Sequence, residues 1–182
     1  MKQISFLWLF IILILGGCAH QLPQYEEPLP RATIEKVRTT AYTASEKDHL
    51  RYGARSALGT PLRYGAINSA SADWARWPAG TRFRLRATGE IFEVDDYGWA
   101  LAGTNTIDLY KPTRRAMNEW AVRRVTIEIL QWGDPWRSYM LMTKVKSYRH
   151  IHRMLKEYRK FFSAHPPIKP AAAEKKQSHS FS

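Results

Sequence analysis

Apolar and polar side chains alternate most cleanly between Val122 and Leu130. There Val122, Val125, Ile127 and the pair Ile129-Leu130 are interleaved with Arg123, Arg124, Thr126 and Glu128. A period of two belongs to a strand with one buried and one solvated face. The alternation recurs over Arg82–Ala87, with Phe83 and Leu85 set between arginines. Gly89 then supplies a turn before Ile91–Val94, so the two runs predict a hairpin. Val37–Tyr42, rich in Thr, and Thr106–Tyr110 are shorter strand signals. From Pro112 to Ala121 the spacing of Ala116, Met117 and Trp120 becomes that of a helix, which Thr113 is placed to cap. Short strands, one helix and frequent glycine turns over residues 33–131 predict a mainly-β fold, a small closed barrel with a single core.

Past Gly133-Asp134-Pro135 the period changes. Leu141, Val145, Tyr148, Ile151, Leu155, Tyr158 and Phe162 recur at helical spacing, with lysines and arginines between them. This predicts one long amphipathic, basic helix over residues 134–163 that docks Tyr148, Ile151, Leu155 and Tyr158 on the barrel. The tail, residues 164–182, has the composition of a disordered segment.

At the other end Lys2 precedes an apolar run, Ile4–Leu15, and then Leu15-Gly-Gly-Cys18. The run is short for a membrane span and has the length of a signal-peptide core. Leu15-Gly-Gly-Cys18 resembles a bacterial lipoprotein lipobox, and Cys18 is the only cysteine of the 182 residues. Residues 1–17 are therefore expected to be a signal peptide and Cys18 a lipidation site. Ala19, where an Asp retains such lipoproteins at the inner membrane, implies an outer-membrane anchor with the domain facing the periplasm. Residues 18–32, with several prolines and no apolar period, are expected to be a flexible linker.

Charge sharpens this picture. The chain carries 28 basic and 16 acidic residues, a formal +12. Residues 132–182 supply +8 of it, from 11 basic and 3 acidic residues, so the excess is mostly C-terminal. For an exported, lipid-anchored protein the expected partners are anionic wall polymers or lipid head groups, not nucleic acid. No glycine-rich phosphate loop, zinc-type Cys/His spacing or nucleophile elbow is present, so neither cofactor nor metal is expected.

The candidate chemistry lies between Asp73 and Tyr110. Asp73 and Asp96 sit beside turn residues, where an Asp also caps its own backbone. Asp108 lies between Ile107 and Leu109 in a strand-like run that disfavours Asp.

Five ordered stretches carry a family resemblance: Ala41-Tyr-Thr-Ala-Ser45, Ser56-Ala-Leu-Gly-Thr-Pro-Leu62, Asp73 to Thr81, Asp95 to Gly103, and Ile107-Asp-Leu-Tyr110. Over residues 34–131 the chain resembles the three-aspartate (3D) domain, the catalytic barrel of MltA-type lytic transglycosylases. It departs from the family pattern at Trp74, Trp99 and Ala102, which stand where the family has Pro, Gly and Lys. The resemblance implies a six-stranded double-psi β-barrel that binds peptidoglycan glycan strands. It implies cleavage of the MurNAc–GlcNAc bond with 1,6-anhydroMurNAc formed, Asp108 acting as acid and then base. Asp96 and Asp73 complete the implied catalytic set, and Tyr42 and Thr43 correspond to groove residues. Trp99 is a candidate stacking platform for sugar, or ordinary packing. The same barrel serves expansin-like proteins that cut nothing, so a noncatalytic wall-binding module is the alternative. Homodimerisation, or the C-terminal helix, is expected to complete a groove on a stand-alone barrel.

Overall fold

A computed structural model describes residues 21–46, Leu50 and residues 53–166. The expected signal peptide with Cys18, and residues 167–182 of the expected tail, lie outside the described residues. Six strands form: β1 (Ile34–Tyr42), β2 (Asn68–Ala72), β3 (Arg82–Leu85), β4 (Ile91–Asp96), β5 (Thr106–Tyr110) and β6 (Arg123–Gln131). They close into a barrel in the order β1-β5-β2-β4-β3-β6. β1 with β5 and β2 with β4 are parallel, and the other four pairings are antiparallel. Exchanging β1 with β4, β2 with β5 and β3 with β6 returns the same ring with the same pair directions. The barrel therefore has the connectivity of two interlocked, equivalent halves.

The interior is apolar because alternate strand residues point inward. Val37, Phe83, Leu85, Phe92, Val94, Ile107, Leu109 and Ile127 are all at or below 1% exposure, and Phe83 stacks on Phe92 at 5.6 Å. β2 carries no strand signal in its sequence, Asn68-Ser-Ala-Ser-Ala72. It pairs on both edges and all five of its residues are buried. Between β5 and β6 lies α1 (Arg114–Trp120), which packs against β1 and buries Trp120. The Thr113 hydroxyl caps it by accepting the Ala116 N–H, as expected, and Trp120 Nε1 donates to Thr39 Oγ1.

The C-terminal segment departs from its expectation. Instead of one helix over 134–163 there are two, α2 (Pro135–Thr143) and α3 (Arg149–Ala164), joined by a turn. A straight helix of thirty residues would run ~45 Å, well past a barrel of this size. Folding back lets both helices bury apolar side chains: Met142 from α2, and Ile151, Met154, Leu155 and Tyr158 from α3. Val145 and Tyr148, which continue the helical period, fall in the turn and are 38% and 50% exposed. Tyr148 is thus not part of the docked face. α2 is started by Asp134, whose carboxylate accepts the Trp136 and Arg137 N–H groups, with Pro135 in the first turn. It is fixed to the barrel where Ser138 Oγ accepts the Ala79 N–H at 2.9 Å. Gly133 makes that approach feasible, since a Cβ there would lie 2.3 Å from Ala79 O and 2.4 Å from Pro78 O.

The expected linker is also held. Glu26 N donates to Gly103 O, Asn105 Nδ2 to Glu27 O, and Arg153 Nη1 to Pro23 O at 2.6 Å. Residues from Pro23 to Leu29 run as a strap across the loop before β5 and the first turns of α3.

Candidate functional site

Ile107 and Leu109 face the interior, so Asp108 between them points out of the barrel. Register extends this into a row across four strands. Asp108 is opposite Thr40 on β1 and Ser71 on β2, and Ser71 is in turn opposite Asp96 on β4. Residues paired across neighbouring strands point to the same face of the sheet. Asp96 joins the row because of a bulge. Ala70 pairs with Val94 but Ser71 pairs with Asp96, so Asp95 is the extra residue. Without it Asp96 would alternate into the barrel. With it, Asp95 and Asp96 both reach the outer face.

Asp96 is 8% exposed. Its Oδ1 accepts the Ala57 and Tyr97 N–H groups, both at 2.9 Å, and its Oδ2 lies 3.5 Å from the Tyr42 hydroxyl. Burial pushes the carboxyl up to about 7 against the pull of the two N–H bonds, with the Asp95 charge adding to the rise. Tyr42, whose ring lies 5.5 Å from that of Tyr110 at a tilt of 60°, is itself held well above the usual phenol range. Burial is the main cause, followed by the negative charges of Asp96, Asp95 and Asp108. Asp95 is fixed sideways by Ser69 Oγ at 2.6 Å and Arg63 Nη2 at 3.1 Å, and burial raises it as well.

Asp108 differs from these in being half-buried, the most accessible carboxylate of the set. Thr40 Oγ1 donates to its Oδ1 at 2.6 Å. Two loops flank the row. Ser56–Leu62 reaches Asp96 through Ala57 N and the Asp95 carbonyl through Leu58 N. The loop 97–105 passes Ser71 at Gly98, where a Cβ would lie 3.9 Å from Ser71 Oγ, and carries half-buried Trp99 on the rim.

Two sequence-derived site residues take other places. Asp73 is fully buried: its carboxylate accepts Ala75 N at 2.8 Å and Gly103 N at 2.6 Å, with Arg76 Nε 3.9 Å away. It therefore anchors the loop 97–105 from below and presents no surface to a ligand. Burial, then the Glu157 charge, lift it to about 7. Thr43 is 1% exposed and begins a turn in which its N–H meets Glu46 Oε2, so it too positions backbone. Sequence reading missed Thr40, Ser71 and Arg76. The first two are ordinary strand residues until register places them beside Asp108. Arg76 is one of many arginines, yet its side chain is 3% exposed and joins Asn105, Glu157 and the Asp73 carboxylate. Among the described residues no group of three or more His, Cys, Asp and Glu side chains forms a metal cradle.

The chain matches no protein-family model, and no curated protein is significantly similar to it.

Proposed function

We propose that the protein is a lytic transglycosylase of peptidoglycan, built on a double-psi β-barrel and lipid-anchored through Cys18 at the outer membrane, facing the periplasm. The observation that carries the reading is the outward row Thr40–Asp108–Ser71–Asp96, in which the reachable Asp108 carboxyl shares a face with the buried Asp96 carboxyl, which burial raises to about 7. The two-fold equivalence of the strand order supports the double-psi assignment.

In this reading a glycan strand lies along the outer face between the loops 56–62 and 97–105. Asp108 gives its proton to the glycosidic oxygen between MurNAc and GlcNAc as the C1–O bond breaks. The C6 hydroxyl of the same MurNAc then closes on C1, and the Asp108 carboxylate takes the proton that hydroxyl releases. One group thus serves as acid and base in turn, and water is not consumed. Asp96 and Tyr42, both buried, line the face on which Asp108 stands. Asp73 holds the loop that carries Trp99, the candidate platform for stacking a sugar face. Homodimerisation would supply the opposite wall of the groove.

A second reading, wall binding without cleavage, draws on the Thr40–Asp108 bond. A hydroxyl donating to Oδ1 favours the ionised carboxyl, and an ionised group has no proton to give. Incubation with purified sacculi separates the two. Release of anhydro-muropeptides is the result expected of the enzyme, and binding without release would replace it with the wall-binding module.

A further inference from the structure

The barrel chemistry makes no use of the α2–α3 hairpin's outer surface. Between Pro135 and Lys156 the sequence has no Asp or Glu, and Arg137, Lys144, Lys146, Arg149, Arg153 and Lys156 are basic. The first acidic group, Glu157, turns inward to Arg76 at 3.4 Å and is 12% exposed. Large apolar side chains are exposed among these cations: Trp136 and Met140 are each 45% exposed, and Tyr148 is 50%. Exposed aromatic rings interleaved with Lys and Arg are the composition of surfaces that sit at the head-group level of a bilayer.

Between the two helices lies a cavity of about 590 Å³. Lys146 and Arg159 bring cations to its wall, while Thr143, Ser147 and His152 bring hydrogen-bonding groups. Tyr139 and Leu155 add apolar surface to the lining. The lining has no carboxylate. A phosphate with an attached glycerol matches it: the phosphate meets cations and hydroxyls, and the glycerol carbons meet the apolar surface. A glycan polymer would need an extended groove instead.

The path of the chain points the same way. Arg153 holds the Pro23 carbonyl at 2.6 Å, so the chain leaves the fold towards its N-terminus beside the first turns of α3. From Pro23 back to Cys18, the proposed lipidation site, are five residues, which span at most about 18 Å. A lipid anchor at Cys18 would therefore keep this hairpin close to the head groups.

We propose that the α2–α3 hairpin is a docking site for anionic phospholipid head groups, with the cavity beside Lys146 and Arg159 receiving a lipid phosphate. The proposal does not depend on the catalytic reading. Full-length protein is reconstituted into vesicles of phosphatidylcholine, or of phosphatidylcholine mixed with phosphatidylglycerol, and amide exchange is followed over residues 136–156. Exchange is expected to slow several-fold in the anionic vesicles alone, and the protection to vanish in high salt. The double variant Lys146→Glu, Arg159→Glu should lose that protection while its melting temperature is unchanged, because both side chains are exposed. Equal exchange in the two vesicles, or full protection of the double variant, would overturn the proposal. Protection by sacculi and not by anionic vesicles would overturn it in favour of a wall polymer.

Discussion

Replacing Asp96 with Asn should make the protein more stable, by an amount that pH controls. The carboxyl is raised from its ordinary 3.8 to about 7. Between about pH 4 and 7 the unfolded chain has released this proton while the folded chain still holds it. The folded state therefore binds more protons in that window, and its stability falls as pH rises through it. Below about pH 4 both states are protonated and nothing is lost. Above about 7 the loss is complete, and at 1.36 kcal/mol per pKa unit it comes to ~4 kcal/mol. Asn removes the charge and can retain the contacts. Its Oδ1 accepts the Ala57 and Tyr97 N–H groups as before, and its Nδ2 replaces the oxygen that lies 3.5 Å from the Tyr42 hydroxyl. At pH 8 Asp96→Asn should therefore gain about 2–4 kcal/mol, a rise in Tm on the order of 5–15 °C for a chain of this size. At pH 4 the two proteins should melt together. Asp73, also raised to about 7, keeps its own slope in both proteins, so the difference between their profiles isolates Asp96. Melting followed by circular dichroism from pH 4 to 8 measures it. A difference that does not change with pH, or a variant less stable than wild type at pH 8, refutes the argument.

Two further outcomes follow from the site and the fold, and a third from the sequence. On the proposed mechanism, in which a single group serves both proton transfers, Asp108→Asn should lower release of anhydro-muropeptides from sacculi by about 10²–10⁴-fold. Its Tm should change little, since the carboxyl is half-buried on the outer face. Gly133→Ala should cost roughly 1–3 kcal/mol or more in urea unfolding, because the new Cβ meets backbone carbonyls that cannot swing away. An unchanged midpoint would mean the close approach of Gly133 to Ala79 is misplaced. Cys18→Ala should release the protein from the membrane fraction or leave an unprocessed precursor, and wild-type fractionation and migration would exclude lipidation.

How much of this was legible in the chain depended on whether a signal was local. β6 and the β3–β4 hairpin could be read because one face of each strand meets the core and the other meets solvent. Asp108 stood out for a related reason, as a charge set between two core residues. β2 could not be read: Asn, Ser and Ala are poor strand formers, and this strand is held by neighbours on both edges that are distant in sequence. The bulge at Asp95 is a property of pairing, so no single-strand pattern reveals that Asp96 faces outward. The helical period running through Val145 and Tyr148 misled for the opposite reason. It was locally sound, but the hairpin buries more apolar surface by turning there. Asp73 shows the consequence for function. A buried carboxylate beside a turn and a ligand-facing carboxylate beside a turn have the same local sequence. They are told apart only by what closes over them, here the Gly103 N–H, Arg76 and, through Arg76, Glu157 of α3. The loop bearing Trp99 is therefore set by a helix some fifty residues further along the chain. Any reading of the site that ends at β6 leaves out part of what shapes it.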